Sequence, residues 1–309
     1  MTWSSRTAGP PGTYFDLLTP AEPSDRPPVV LVHGGAHTGS CYLATADGRP
    51  GWAHGLVQRG YAVAMPDWPG IGRSGYVAPE ALTGELVCAG LARVIDALGT
   101  PAVVVTHSMG GAYGWRLLER CGPAIAALVA VAPGPPGNIQ PIAAIAEQTA
   151  THLRIVGTTN YTLERHAPFA PPRGFVLSKL AGDGWRFPRE ALDRYAESLI
   201  AIPPRLVQER LNVGGSQMRV EDFASYRGKP VLVLTGTHDV DHTREADRQV
   251  VDWLVATGAA AEHCYLGDLG IEGNGHMLML EQNSDELLEL VCGWIGKVLP
   301  VTASPLSSQ

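Results

Sequence analysis

Short apolar runs recur along the chain, at residues 29–33, 61–66, 102–106, 127–132, 231–235 and 262–266. Runs of this length bounded by turn residues predict strands of a parallel sheet buried on both faces. Between most of them the spacing changes to that of a helix. Over 84–98, Leu86, Val87, Leu91, Val94, Ile95 and Leu98 share one face. Over 285–299 the stripe is Leu287, Leu288, Val291, Trp294, Ile295 and Val298. Ser284 is placed to cap that helix, with Asp285 and Glu286 at the positive end of its dipole. Alternation of this kind predicts an α/β fold, a mostly parallel sheet with helices on both faces.

The alternation breaks between Gly134 and Arg227, a stretch rich in proline and aromatic residues with helical pieces such as 189–202. A segment this long is not expected to be structureless inside a compact domain. It is read as a mainly helical cap, residues 134–225, inserted into a core of residues 1–133 and 226–309. The Ser- and Pro-containing tail after Pro300 is expected to be disordered.

Composition narrows the picture. The 309 residues are 45% hydrophobic and 17% charged, with a net charge of -7. That excludes the basic footprint of a nucleic-acid or anionic-membrane binder. Five scattered cysteines without a CxxC pair argue against a disulfide framework or a zinc site, and buried reduced thiols are expected. No signal-peptide pattern opens the chain, and no run approaches the ~20 apolar residues of a membrane span. A cytoplasmic protein is expected, with a homodimer left open.

The chemistry gathers where predicted strands end. Val103-Val104-Val105-Thr106-His107-Ser108-Met109-Gly110-Gly111 runs from a strand through a serine among small residues into a helix. This is the arrangement of a nucleophile elbow, with Thr106 where a glycine is usual. His33-Gly34-Gly35-Ala36 follows another strand, and the N–H groups of Gly35 and Met109 are the expected oxyanion donors. Asp239 lies just beyond a late strand, placed to orient a histidine. His276 sits in the glycine-flanked loop Gly273-Asn274-Gly275-His276-Met277 before the last helix. The chain order Ser108, Asp239, His276 matches that of a serine triad on an α/β sheet. His54, His152, His166, His238, His242 and His263 show no metal spacing and read as surface or packing residues. His37, Tyr42, Trp68 and Trp185 are candidate walls of the substrate pocket. The loop Asp67-Trp68-Pro69-Gly70-Ile71-Gly72-Arg73-Ser74-Gly75 reads as scaffold.

Together these motifs resemble the α/β-hydrolase superfamily over roughly two thirds of the chain. Three segments carry a narrower resemblance to the esterase 713-like group: Thr45-Ala46-Asp47-Gly48-Arg49-Pro50-Gly51-Trp52, Thr106-His107-Ser108, and Gly273 through Met279. The resemblance implies a carboxylester hydrolase with Ser108 and His276 in its triad. The chain departs from that group in three ways. Ala132 stands where its best-known esterase has the acid, Gly35-Ala36 where that enzyme has adjacent cysteines, and the insert is longer. Asp239 is therefore the expected acid, at the superfamily's more usual place. The expected partner is a small apolar ester or lactone, cleaved through an acyl-enzyme with no metal and no cofactor. The same triad also serves C–C bond, amide and perhydrolysis chemistry, and the same fold carries lyases, cyclases and silent binding proteins.

Overall fold

The computed structural model describes residues 1–157 and 160–300. Its strands in chain order are β1 (Thr2–Ala8), β2 (Thr13–Thr19), β3 (Val29–Val32), β4 (Val63–Pro66), β5 (Ala102–His107), β6 (Ile125–Val131), β7 (Ala144–Gln148), β8 (His152–Val156), β9 (Tyr161–Glu164), β10 (Pro230–Thr235) and β11 (Ala260–Tyr265). Eight form the main sheet, in the order β1-β2-β4-β3-β5-β6-β10-β11. From β4 to β11 every neighbouring pair is parallel, while β2 runs antiparallel to both β1 and β4.

The helices are α1 (Trp52–Gln58), α2 (Gly84–Asp96), α3 (Met109–Cys121), α4 (Arg173–Phe175), α5 (Leu192–Ser198), α6 (Pro204–Arg210), α7 (Arg244–Ala256) and α8 (Ser284–Val298). Strand side chains alternate between two cores, as a period of two requires. Val30, Val32, Val104 and Val233 pack toward α2, α3 and α7. Val29, Leu31, Val105 and Leu234 pack toward α1 and α8. The continuous apolar runs are thus explained by burial on both faces. Thr83 caps α2 by accepting from Leu86 N at 3.1 Å, and Thr243 caps α7 through Ala246 N at 3.2 Å.

Asn283, not Ser284, is the N-cap of α8, and Ser284 is its first helical residue. The backbone oxygen of Ser284 accepts from Trp52 Nε1 at 2.9 Å. The β1–β2 hairpin escapes prediction because β1 is an edge strand whose side chains are nearly all exposed. The segment between β6 and β10 carries short helices as expected. Beside them stands an antiparallel sheet, β7-β8-β9, that the pattern did not predict. Within it Leu153 and Ile155 point inward while His152, Arg154 and Val156 face out. The two limbs of this segment meet at a neck. Gly137 N donates to Met218 O at 3.0 Å, and the Asn138 amide bonds both backbone groups of Val220, at 2.9 and 2.8 Å.

All five cysteines are free, with Cys88 buried and the others partly so. Among the described residues no helix is long and apolar enough to cross a membrane. The tail after Pro300 lies outside the described residues.

Candidate active site

Ser108 stands between β5 and α3 with φ 51° and ψ -123°. A non-glycine residue there carries strain on the order of 1–3 kcal/mol, so the surroundings must hold it. Ser108 N donates to Val131 O at 3.0 Å, and its oxygen accepts from Gly111 N at 2.8 Å and Gly134 N at 2.7 Å. Small neighbours are a packing requirement. A Cβ on Gly110 would lie 2.5 Å from His33 O, and one on Gly111 would lie 2.6 Å from Pro133 Cβ. Thr106 is tolerated because Gly114, one helical turn into α3, leaves room for its methyl group. A Cβ there would lie 2.9 Å from Thr106 Cγ2.

Ser108 Oγ and His276 Nε2 are 2.9 Å apart, and His276 Nδ1 and Asp239 Oδ2 are 2.5 Å apart. With its Nδ1–H donated to the carboxylate, the imidazole turns a lone pair toward the serine hydroxyl. Asp239 Oδ1 accepts from the N–H groups of Asp241 at 3.0 Å and His242 at 3.1 Å. Burial pushes the Asp239 carboxyl up, but the facing His276 and His242 rings outweigh it and hold the group well below the usual carboxylate range. Burial draws His276 below the ordinary imidazole value, and the Asp239 charge opposes this only in part.

The His276 loop is braced from two directions. Buried Glu281 accepts from Gly275 N at 2.7 Å and from the Asn274 amide at 2.5 Å. Its pKa is raised to about 7, burial outweighing those two hydrogen bonds. Arg49 donates to Glu281 O at 3.0 Å and Gln282 O at 3.1 Å, while Trp52 holds Ser284 O. The Thr45 to Trp52 segment therefore clamps the histidine loop. His107 Nε2 donates to His276 O at 2.9 Å, a support the sequence reading missed although His107 precedes the serine.

Gly35 and Ala36 lie across from Met109, and with Ser108 they form the floor of a cavity of about 350 Å³. Neither the Gly35 nor the Met109 N–H has an acceptor among the described residues. The cavity wall comes largely from the β6–β10 segment, including Tyr161, Phe169, Phe175 and Val207. The four candidate wall residues are placed elsewhere. Tyr42 is fully buried in the core, its hydroxyl donating to Val32 O at 3.1 Å. Trp68 is stacked on His33 at 4.3 Å, also within the core. Trp185 is 58% exposed, lying edge-on to His238 and against Gly273 on the outer surface. His37 is a strut, its Nδ1–H donating to Gly35 O at 2.7 Å while Nε2 accepts from the Tyr195 hydroxyl at 3.0 Å. Burial lowers its pKa to about 4, so it stays neutral in that role. The loop after β4 is scaffold. Asp67 accepts from Gly39 N at 2.9 Å and pairs with Arg73.

His242, read as a packing or surface residue, is buried and stacked on His276 at 5.2 Å, and it lines the cavity. Its Nδ1 faces Asp247 Oδ1 at 3.2 Å. Ligand atoms of Asp239, His242 and His276 lie within 4.8 Å of one another, close enough to hold a metal ion. Two of the three residues already pair through Asp239 Oδ2 and His276 Nδ1, which suits a proton relay.

A mostly parallel sheet that sets serine, histidine and aspartate in one chain at its strand ends defines a hydrolase of the α/β type. The model of the Alpha/beta hydrolase family matches residues 29–290, and the chain belongs to that family. It is 25% identical over 342 aligned residues to the "Probable secreted lipase phiG" of a fungal species, covering 92% of this chain and 85% of that protein. Among solved structures it is similar to a thermophilic esterase from Thermogutta terrifontis, with 17% identity and a TM-score of 0.61. The match covers 96% of this chain and 99% of that one. A monoacylglycerol lipase from Paleococcus ferrophilus matches with 18% identity and a TM-score of 0.58, over 93% and 99%. The narrower likeness to the esterase 713-like group rests on the sequence segments alone.

Proposed function

We propose that the protein is a serine esterase that cleaves a small apolar carboxylic ester or lactone through an acyl-enzyme on Ser108. The observation that carries this is the unbroken chain Ser108–His276–Asp239, with gaps of 2.9 and 2.5 Å, opening on a largely apolar cavity. The lipase and esterase names of similar proteins support the ester as substrate. His276 takes the Ser108 proton as the hydroxyl oxygen attacks the carbonyl carbon. Asp239 fixes the imidazole tautomer and stabilises the imidazolium. The Gly35 and Met109 N–H groups receive the oxyanion, each worth roughly 10²–10³ in rate. His276 then protonates the leaving alcohol and activates the water that frees the acid. Residues 134–225 act as the cap over a core of residues 1–133 and 226–309.

The test is a hydrolysis screen across acyl-chain length, aryl esters and lactones, with the Ser108→Ala protein as blank. Turnover of none of these classes, with the folded protein in hand, would sink the reading.

Two further outcomes are expected. The histidine must be neutral to accept a proton, and its pKa lies below the ordinary value of 6.5. The value of kcat/KM should therefore rise with pH through an apparent pKa under 6.5 and stay flat across neutrality. An acid limb above pH 7 in the measured profile would contradict this. Phe175→Ala, in the cavity wall, should change relative kcat/KM among acyl chains by about tenfold, the scale of one or two buried methylenes. Trp185→Ala, on the outer surface, should leave the profile unaltered.

A further inference from the structure

Two cations line the cavity above Ser108, and they are treated differently by their surroundings. Lys179 is paired with Asp241 and also reaches the Tyr161 hydroxyl at 3.3 Å. Arg210, the last residue of α6, has no carboxylate within 4.0 Å among the described residues. Of the five N–H donors a guanidinium offers, one is engaged among the described residues, Nη1 on Gln140 Oε1 at 3.1 Å. The Gln140 amide donates back to Arg210 O at 3.0 Å, so one side chain fixes both ends of the residue. None of the unengaged nitrogens is sealed from solvent without a partner. Arg210 and the Gln140 that holds it both line the cavity over Ser108.

The cavity's carboxylates are otherwise committed. Asp241 faces Lys179, and Asp239 is held by His276. Asp247 accepts from the Thr235 hydroxyl at 2.7 Å and lies beside His242. Close approach to the nucleophile is built into the backbone. A Cβ on Gly134 would lie 2.9 Å from Arg210 Nε and 3.2 Å from Ser108 O, so the bare glycine lets the guanidinium sit against the elbow. A guanidinium that no carboxylate faces among the described residues, beside a cavity lined by Phe169, Phe175 and Val207, is unfavourable in the free protein. The same apolar surroundings strengthen its pairing with any anion that enters.

Resting on the esterase reading above, we propose that Arg210 is a specificity-determining residue that receives a carboxylate carried by the substrate. The preferred substrate class is then an ester whose apolar body bears one carboxylate, such as a monoester of a dicarboxylic acid. Arg210 is the cavity cation that no carboxylate faces among the described residues, which suits a monoanion. A dianion would set surplus negative charge near Asp247 and Asp239. The planar fork of the guanidinium pairs with a carboxylate through two parallel hydrogen bonds, which an ammonium cannot reproduce.

The test compares nitrophenyl monoesters of glutaric, adipic and suberic acids with nitrophenyl esters of the fatty acids of equal chain length. Wild type should favour at least one monoester over its neutral counterpart by about tenfold or more in kcat/KM. Arg210→Met should lower kcat/KM for that monoester by about 10- to 100-fold, the worth of a charged hydrogen-bonded pair. Its loss on neutral esters should be at least tenfold smaller, and circular dichroism should show that it folds. Arg210→Lys should retain part of the preference, and it stands in if the methionine protein is insoluble. Calorimetric titration of the Ser108→Ala protein with the monoester should give binding that Arg210→Met in that background abolishes. This arm separates the two readings. If no ester of either kind is turned over, the esterase reading fails, and the titration alone decides the role of Arg210. Three results overturn the proposal. They are equal or better use of neutral esters by wild type, a parallel fall for both ester classes in Arg210→Met, and monoester binding indifferent to that change.

Discussion

Ser108→Ala is expected to lower kcat by on the order of 10⁴–10⁶ while the protein keeps its fold, as for other serine triads. The size follows from geometry. The hydroxyl is the group that His276 Nε2 faces at 2.9 Å, and no other serine or threonine hydroxyl meets that nitrogen among the described residues. The fold should survive because alanine keeps the Cβ and the backbone bonds of residue 108 to Val131, Gly111 and Gly134. A serine-directed fluorophosphonate should label Ser108 in the wild type and nothing in the variant. Near-normal turnover by the variant, or labelling at another residue, would remove the basis of the proposed mechanism.

Asp239→Asn should cost roughly 10⁴ in kcat, because an amide at that position favours the wrong imidazole tautomer. The loss should be almost purely catalytic. An asparagine oxygen can still accept from the Asp241 and His242 N–H groups, so the loop after β10 keeps its shape. Asp241→Asn should lose less than about tenfold. Its carboxylate faces Lys179, not the triad, and burial together with repulsion from Arg210 lowers the Lys179 pKa to about 7. That amine can shed its proton at small cost when its partner is neutralised. A crippled Asp241→Asn beside an active Asp239→Asn would reverse the assignment. A glutamate at Ala132, the acid position of the esterase 713-like group, is not expected to restore activity to an Asp239→Ala protein. Ala132 is fully buried with φ 42°, which leaves a longer side chain neither space nor a comfortable backbone.

The parts legible in the sequence are those where one local pattern has one structural solution. Apolar runs became the parallel strands because both faces of that sheet are covered. The serine among glycines became the elbow because the chain passes His33 and Pro133 too closely for side chains. Order along the chain was enough to bring Ser108, Asp239 and His276 into one relay. What failed depended on distant partners. Tyr42 and Trp68 were candidate walls because they are aromatic and follow strands near the site. Whether such a ring faces a cavity or the core is decided by what stacks on it, and for Trp68 that is His33. His242 lacked any motif, and its place against His276 follows from the turn that Asp239 Oδ1 organises. The β7-β8-β9 sheet was hidden because it is small and exposed on one side, so its apolar positions are few. Its period-two alternation at 152–156 was nonetheless present to be read.

The neck formed by Gly137, Asn138, Met218 and Val220 has a consequence for how such a protein can diverge. Strands β6 and β10 are direct neighbours in the sheet, paired from Leu128 with Val231 onward. The framework is therefore already closed beneath the segment, and the segment leaves and returns through one narrow gate. The Asn138 clasp fixes where the two ends of the segment meet, so a change of length between Asn138 and Val220 need not shift the register of β6 on β10.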